Sequence, residues 1–340
     1  MRHFSIVVLL VLLGTCNLAL SQSKDSDKGQ FSGNLLMTYQ KYVRDDSIGA
    51  TTKVYKENTA SADAWLFMQY RIKGYSFILR YDAFNNSPLL DPQDAYTNHG
   101  IGFWQINKSV DKLDITMGSF YDQFGTGILF RAYEQRQIGI DYAIQGMRLK
   151  YNINDKWAVK GFAGNQKGNI KNRFGFANQV ISGLNIEGNI DLGKDSKYGA
   201  LQVGASAVNR TLDRETMDRL VGTINTYDLA DRFYPKYNVY GGNAYFTYTK
   251  DNFSWTVEGN VKSKEAIMDD NTKFYLRSGK VLYSSMSWGK GGWNLGGQKA
   301  SIGLNVQARH VDNFSFRTAP TENLLNGLVS YLPSMTRQNT

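Results

Sequence analysis

Phe253-Ser254-Trp255-Thr256-Val257-Glu258-Gly259-Asn260-Val261-Lys262 is the stretch whose reading decides the fold. Taken two residues at a time, Phe253, Trp255, Val257, Gly259 and Val261 share one side, and Ser254, Thr256, Glu258, Asn260 and Lys262 share the other. Successive side chains of a strand point to opposite faces, so the stretch reads as a strand with one oily and one wet face. A helix, with a period near 3.6 residues, would mix the two kinds all round.

The same alternation recurs in both directions along the chain. Ala300, Ile302, Leu304, Val306 and Ala308 oppose Ser301, Gly303, Asn305, Gln307 and Arg309. Leu184, Ile186, Gly188, Ile190 and Leu192 oppose Asn185, Glu187, Asn189 and Asp191, and Met147, Leu149 and Tyr151 oppose Arg148, Lys150 and Asn152. Thirteen such strands are expected, at about 31–43, 62–73, 75–84, 100–108, 112–120, 142–153, 156–166, 182–193, 198–209, 236–249, 253–263, 279–288 and 298–310. Beyond residue 21 the longest run of large apolar residues is Ala64 to Met68, too short for a membrane-spanning helix.

The connections add a second regularity. Gly74, Ser109–Asp111, Asn154-Asp155, Lys194–Lys197 and Lys250–Asn252 are short; 44–61, 85–99, 121–141, 167–181, 210–235 and 264–278 are long. Alternating short and long connections are the habit of membrane barrels, with tight turns on one rim and loops on the other. Tyr75, Tyr151, Trp157, Tyr198, Tyr248 and Phe253 lie close to the short turns, where amphipathic rings suit the headgroup level. The fold class is therefore all-β, an antiparallel transmembrane β-barrel. Helical spacing within long connections predicts two short helices, over 211–230 behind Asp213 and over 321–333 behind Thr321.

Residues 1–21 read as a secretory signal peptide: a basic start at Arg2, an apolar run from Phe4 to Leu13, and small residues Ala19 and Ser21 before the cut. Cys16, the single cysteine, would be lost with it, excluding disulfides and thiol chemistry from the mature chain. Residues 22–340 then form one domain, since only 5 prolines occur and no linker divides them. The net charge of +9 falls to +8 without Arg2 and is scattered rather than gathered on one face, which argues against nucleic acid as a partner.

The segment 121–141 is the most unusual connection. It holds Asp122, Arg131, Glu134, Arg136 and Asp141 among aromatic residues, and it has glycines at 125 and 127. These charges read either as the lining of a lumen or as an ion-pair network that holds a folded-in loop; the network is the preferred reading, because charges inside a barrel need partners. No enzyme, metal site or cofactor is expected. His310 with Asp312 and Ser315 is a thin hydrolase constellation. Asp269-Asp270-Asn271 lacks the glycine and distal glutamate of a calcium loop, and Gly125-Thr126-Gly127 lacks the lysine of a phosphate loop.

Thirteen is an odd number, whereas bacterial barrels close with an even one. The expectation is that further C-terminal strands belong to the barrel. The chain resembles an uncharacterised, porin-like family of outer-membrane β-barrel proteins from Bacteroidota, most clearly over Gly118–Glu134, Gly139-Ile140-Asp141 and Tyr331–Gln338. That resemblance implies an outer-membrane location and a barrel longer than this chain, and it supplies no catalytic residue. The leading functional expectation is a channel or envelope scaffold, with membrane lipids and small polar solutes or envelope proteins as partners. The alternative is a plugged barrel whose external loops act as an adhesin or bind a secretion apparatus.

Overall fold

Alternation and tight turns build one antiparallel sheet of thirteen strands in simple sequence order. The computed structural model describes residues 28–87, 95–168, 172–269, 273–296, 298–322 and 326–332. The expected signal peptide, with Cys16, lies outside the described residues, as do parts of Asp269-Asp270-Asn271 and most of the Tyr331–Gln338 motif. The strands are β1 (Gln30–Lys41), β2 (Ala60–Ile72), β3 (Tyr75–Ser87), β4 (Tyr96–Val110), β5 (Leu113–Phe120), β6 (Ile144–Asn152), β7 (Trp157–Lys167), β8 (Phe176–Asp191), β9 (Ala200–Thr211), β10 (Asn238–Lys250), β11 (Phe253–Met268), β12 (Phe274–Leu295) and β13 (Gln298–Asp312). All thirteen predicted strands are present.

Several strands outrun their sequence pattern, and β-bulges explain why. The β11–β12 register shifts between Lys262 and Glu265, and the β12–β13 register shifts between Gly291 and Trp293. A bulge adds a residue and reverses the in–out phase, so strict alternation ends there although the ladder continues. The Gly-rich 289–295, lying between the predicted strands 279–288 and 298–310, is thus strand, and the connections at 85–99, 167–181 and 264–278 shorten to 88–95, 168–175 and 269–273. The alternation of connections then runs unbroken to the short connection between β12 and β13.

The sheet does not close. β1 and β13 are its two edges, each paired on one side only. Antiparallel neighbours reverse direction at every step, so the first and thirteenth strands run the same way. A direct β1–β13 ladder would have to be parallel, and none forms.

One face of the sheet is covered by two chain segments, 121–143 and the described residues of 313–332 (313–322 and 326–332); this is called the inner face. A cluster centred on Phe120, Phe124, Ile128, Phe130, Phe162 and Phe316 joins these segments to it. Within 121–143, Asp122–Phe124 pairs with Phe130–Ala132, and Glu134-Gln135 pairs with Ile140-Asp141.

Among the described residues the longer connections also hold two α-helices, α1 (Lys53–Glu57) and α2 (Arg214–Asn225). α2 is the helix expected within 211–230. Asp213 caps it by accepting a hydrogen bond from the Thr216 amide at 3.1 Å. Met217, Leu220 and Ile224 turn inward onto Leu212, Ala266, Phe274 and Ala319. No helix among the described residues is long and apolar enough to cross a membrane.

The second expected helix, over 321–333, is not found among its described residues. They form turns, bends and a β-bridge from Leu328 to Arg317. Their backbone is already engaged elsewhere: the Val329 amide donates to Phe316 O at 3.0 Å, and the Val329 carbonyl accepts from the Arg131 amide at 2.9 Å. A helix would need those groups for itself.

Candidate functional site

The two faces invert the usual order of burial. On β8, Leu184 is 57% exposed while its neighbour Asn185 is fully buried; on β11, Val261 is 63% exposed while Asn260 and Lys262 are nearly inaccessible. Asn185, Asn260 and Lys262 belong to the inner face, and the apolar residues between them form the outer one. Buried polar groups must find partners, and on the inner face they find them in the two folded-in segments.

The first cluster is organised by Arg80 of β3. Its guanidinium grips Asp82 through Nε (2.8 Å) and Nη2 (3.0 Å), Glu134 through Nη1 (2.7 Å), and Asp141 through Nη2 (3.0 Å). Lys167 of β7 donates to Asp141 at 2.7 Å and to the Gly102 carbonyl at 2.6 Å. Arg136 closes the set on Glu134 at 2.9 Å. Arg80, Lys167 and Arg136 face Asp82, Glu134 and Asp141, three charges of each sign.

A bulge assembles this cluster. Arg80 pairs with Phe103 and Tyr81 with Ile101, leaving Gly102 as the extra residue. A side chain at 102 would collide with the Asp82 carboxylate, so only glycine lets the carbonyl present itself to Lys167 here.

Burial works against ionisation of Asp141, but the charges of Lys167 and Arg80 outweigh it and hold the carboxyl below its ordinary range. Tyr121 donates to Asp141 Oδ1 at 2.9 Å, and burial, followed by the charges of Asp141 and Glu134, pushes its hydroxyl upward so that it stays protonated.

Asp122 is the centre of a second cluster, bonded to Lys160 at 2.6 Å and to Arg148 at 3.2 Å. Beside it, Glu258 accepts from the Thr126 amide at 2.7 Å and from Asn243 at 2.9 Å. Gly125 has φ +54°, and a Cβ there would press on Glu258 and Tyr245. A third cluster ties Glu265 to Arg210 at 2.7 Å and to Lys262, and these bases hold the backbone of the second segment: Lys262 donates to Ser315 O at 2.5 Å and Arg210 to Arg317 O at 3.3 Å.

The five residues singled out in sequence are thus divided. Glu134, Arg136 and Asp141 meet in the Arg80 cluster, and Asp122 lies in another. Arg131 joins neither: its guanidinium sits over the rings of Tyr133 and Tyr331 at 4.7 and 4.2 Å, clamping the two segments together. Sequence reading missed Arg80, Asp82, Lys167, Arg210 and Glu265. The available signal was charge on the wet face of a strand, Arg80 and Asp82 being two residues apart. The identity of their partners had no local signature.

His310 and Ser315 are exposed, and the Asp312 carboxylate lies 3.9 Å from Lys280. Among the described residues no group of three or more His, Cys, Asp or Glu is placed to hold a metal ion.

The fold defines an all-β protein built on one antiparallel sheet with an apolar outer face and a charged inner face. The whole chain, residues 1–340, matches the model of a "Family of unknown function (DUF6029)", and it belongs to that family. No curated protein matches it in sequence. Among solved structures it is similar to OccK8 (OprE) of Pseudomonas aeruginosa, at 8% identity and a TM-score of 0.38, covering 84% of this chain and 93% of that one. It is also similar to OmpT, an outer membrane protein of Vibrio cholerae, at 11% identity and a TM-score of 0.30, covering 86% and 100%. Likeness this distant carries no argument about function.

Proposed function

We propose that this chain forms the wall of an outer-membrane β-barrel, with its outer face in lipid and its inner face bordering a narrowed polar passage. The observation that carries the reading is the reversed burial on neighbouring residues, Leu184 outside and Asn185 inside. A water-soluble protein gains nothing by exposing an apolar stripe on strand after strand, whereas lipid accepts it, and the interior tolerates polar groups that have partners. The short turns would face the periplasm, and the longer connections the exterior.

Segment 121–143 and the described residues of 313–332 narrow the interior in this reading. At the margin of the first segment, Arg148, Lys160 and Glu187 stay part-exposed and of mixed sign, which suits small polar solutes of either charge. The test is conductance of the full protein in planar bilayers: discrete ion-carrying steps are expected, and their absence, together with absence of solute uptake by vesicles, removes the passage.

The second reading is a plugged barrel that works through its external connections. The balanced Arg80 cluster favours it, because a segment held by that many buried ion pairs is costly to move. It predicts that shortening the 212–237 connection, which contains α2, abolishes partner binding while leaving conductance as it was.

A further inference from the structure

We propose that a groove on the outer face, at the short-turn rim between β10, β11 and β12, binds the headgroup of an anionic phospholipid. The inference rests on the reading that the outer face lies in lipid. The groove has a volume of about 390 Å³, and its walls include Tyr248, Lys250, Phe253, Trp288 and Lys290.

The register places these residues on one side of the sheet. Lys250 pairs with Phe253, and Phe253 with Trp288. Tyr248 and Lys250 continue the row of Phe246 on β10, and Trp288 and Lys290 continue the row of Leu282 and Met286 on β12. From Tyr240 to Tyr248 and from Leu282 to Trp288 the rows carry apolar, aromatic or small side chains, apart from Ser284; the next outer position toward the short-turn rim is a lysine in each. Two bases within one outer position of each other along the strands, Lys250 level with Trp288 and Lys290 the next outer residue, stand beside three rings and mark where hydrocarbon gives way to headgroups. Lysine stems lie along apolar surface while the ammonium groups reach a phosphate, and the rings occupy the same interfacial layer.

Charge selects the headgroup. Asp251 and Asn252 complete the turn side of the groove, so two lysines face one aspartate, a net +1. A phosphodiester with no compensating amine matches that charge; a choline headgroup brings its own cation toward the lysines. Other short turns repeat the pairing of lysine with an exposed ring: Lys108 Nζ lies 4.1 Å from the Tyr75 ring centre, and Lys197 Nζ lies 5.6 Å from that of Tyr198.

The test compares retention of phosphatidylglycerol with that of phosphatidylcholine on the full chain reconstituted in mixed vesicles, counted by native mass spectrometry. Wild type should retain phosphatidylglycerol preferentially. Lys250→Gln and Lys290→Gln should each weaken that retention about fivefold, the worth of one basic residue near an anionic surface. The Lys250→Arg/Lys290→Arg variant should keep it. Equal retention of both lipids by wild type, or an unchanged preference in the double glutamine variant, overturns the headgroup site while leaving the membrane reading intact. A chain that enters no vesicle of either composition overturns both.

Discussion

Arg80 shows what a single residue does on the inner face. It is buried, and it holds a carboxylate of its own strand and two from the segment 121–143. Removing one side of a buried ion pair costs about 3–5 kcal/mol, because the partner stays buried without compensation. Arg80→Ala should therefore lower the stability of the folded chain by that amount in urea titrations. Arg80→Lys should fall between, since an ammonium keeps the charge but cannot fork onto Asp82. Gly102→Ala should be destabilising as well, because its Cβ would displace the Asp82 carboxylate. The Asp141 carboxyl adds a dependence on pH. Its pKa in the folded chain lies below the ordinary value of 3.8, so its contribution is complete above 3.8 and is lost as pH falls below it. Limited proteolysis of 121–143 should find protection unchanged from about pH 7 to about pH 5 and weakening once pH falls below 3.8, with a smaller change in Asp141→Asn.

At the scale of elements, α2 is the clearest case of a local signal joined to a distant surface. Burial opposes ionisation of the cap Asp213, but hydrogen bonds from Thr216 outweigh it and keep the carboxylate ionised at neutral pH. Asp213→Ala should cost about 1 kcal/mol, read as faster hydrogen exchange over 214–225. Leu220→Ala opens a hole against Phe274 and Ala266 and should cost about 2–5 kcal/mol. The two losses differ in reach. The cap variant should loosen the helix alone, and the core variant should also loosen the start of β12, where Phe274 sits.

For the molecule as a whole the question is which solvent meets the outer face. Leu184→Arg places a charge on the exposed row of β8. If that row lies in lipid, the substitution should cost about 2–4 kcal/mol and reduce insertion into vesicles. If it lies in water, the effect should stay within about 0.5 kcal/mol, as for an ordinary surface change. Arginine at Lys160, on the inner face, serves as the control and should leave insertion unchanged under either solvent.

Local rules accounted for the strands, their faces and α2, because alternation, turns and capping act between residues a few positions apart. Local rules also broke down at definite places. Strand ends were misjudged where a bulge reversed the phase, as at Lys262/Glu265. The helix expected over 321–333 is not found among its described residues, because Phe316 and Arg131 use backbone groups there. The charged site was half legible. The sequence marked Glu134, Arg136 and Asp141 as needing partners, but Arg80 lies 54 residues from Glu134, and Lys262 lies 53 from Ser315. Pairings of that span depend on how the sheet brings its inner face against the two returning segments, and closure of the sheet depends on which edges meet. Both are decided by the tertiary structure, since the energy of a contact depends on distance in space, and a period of two residues carries no record of it.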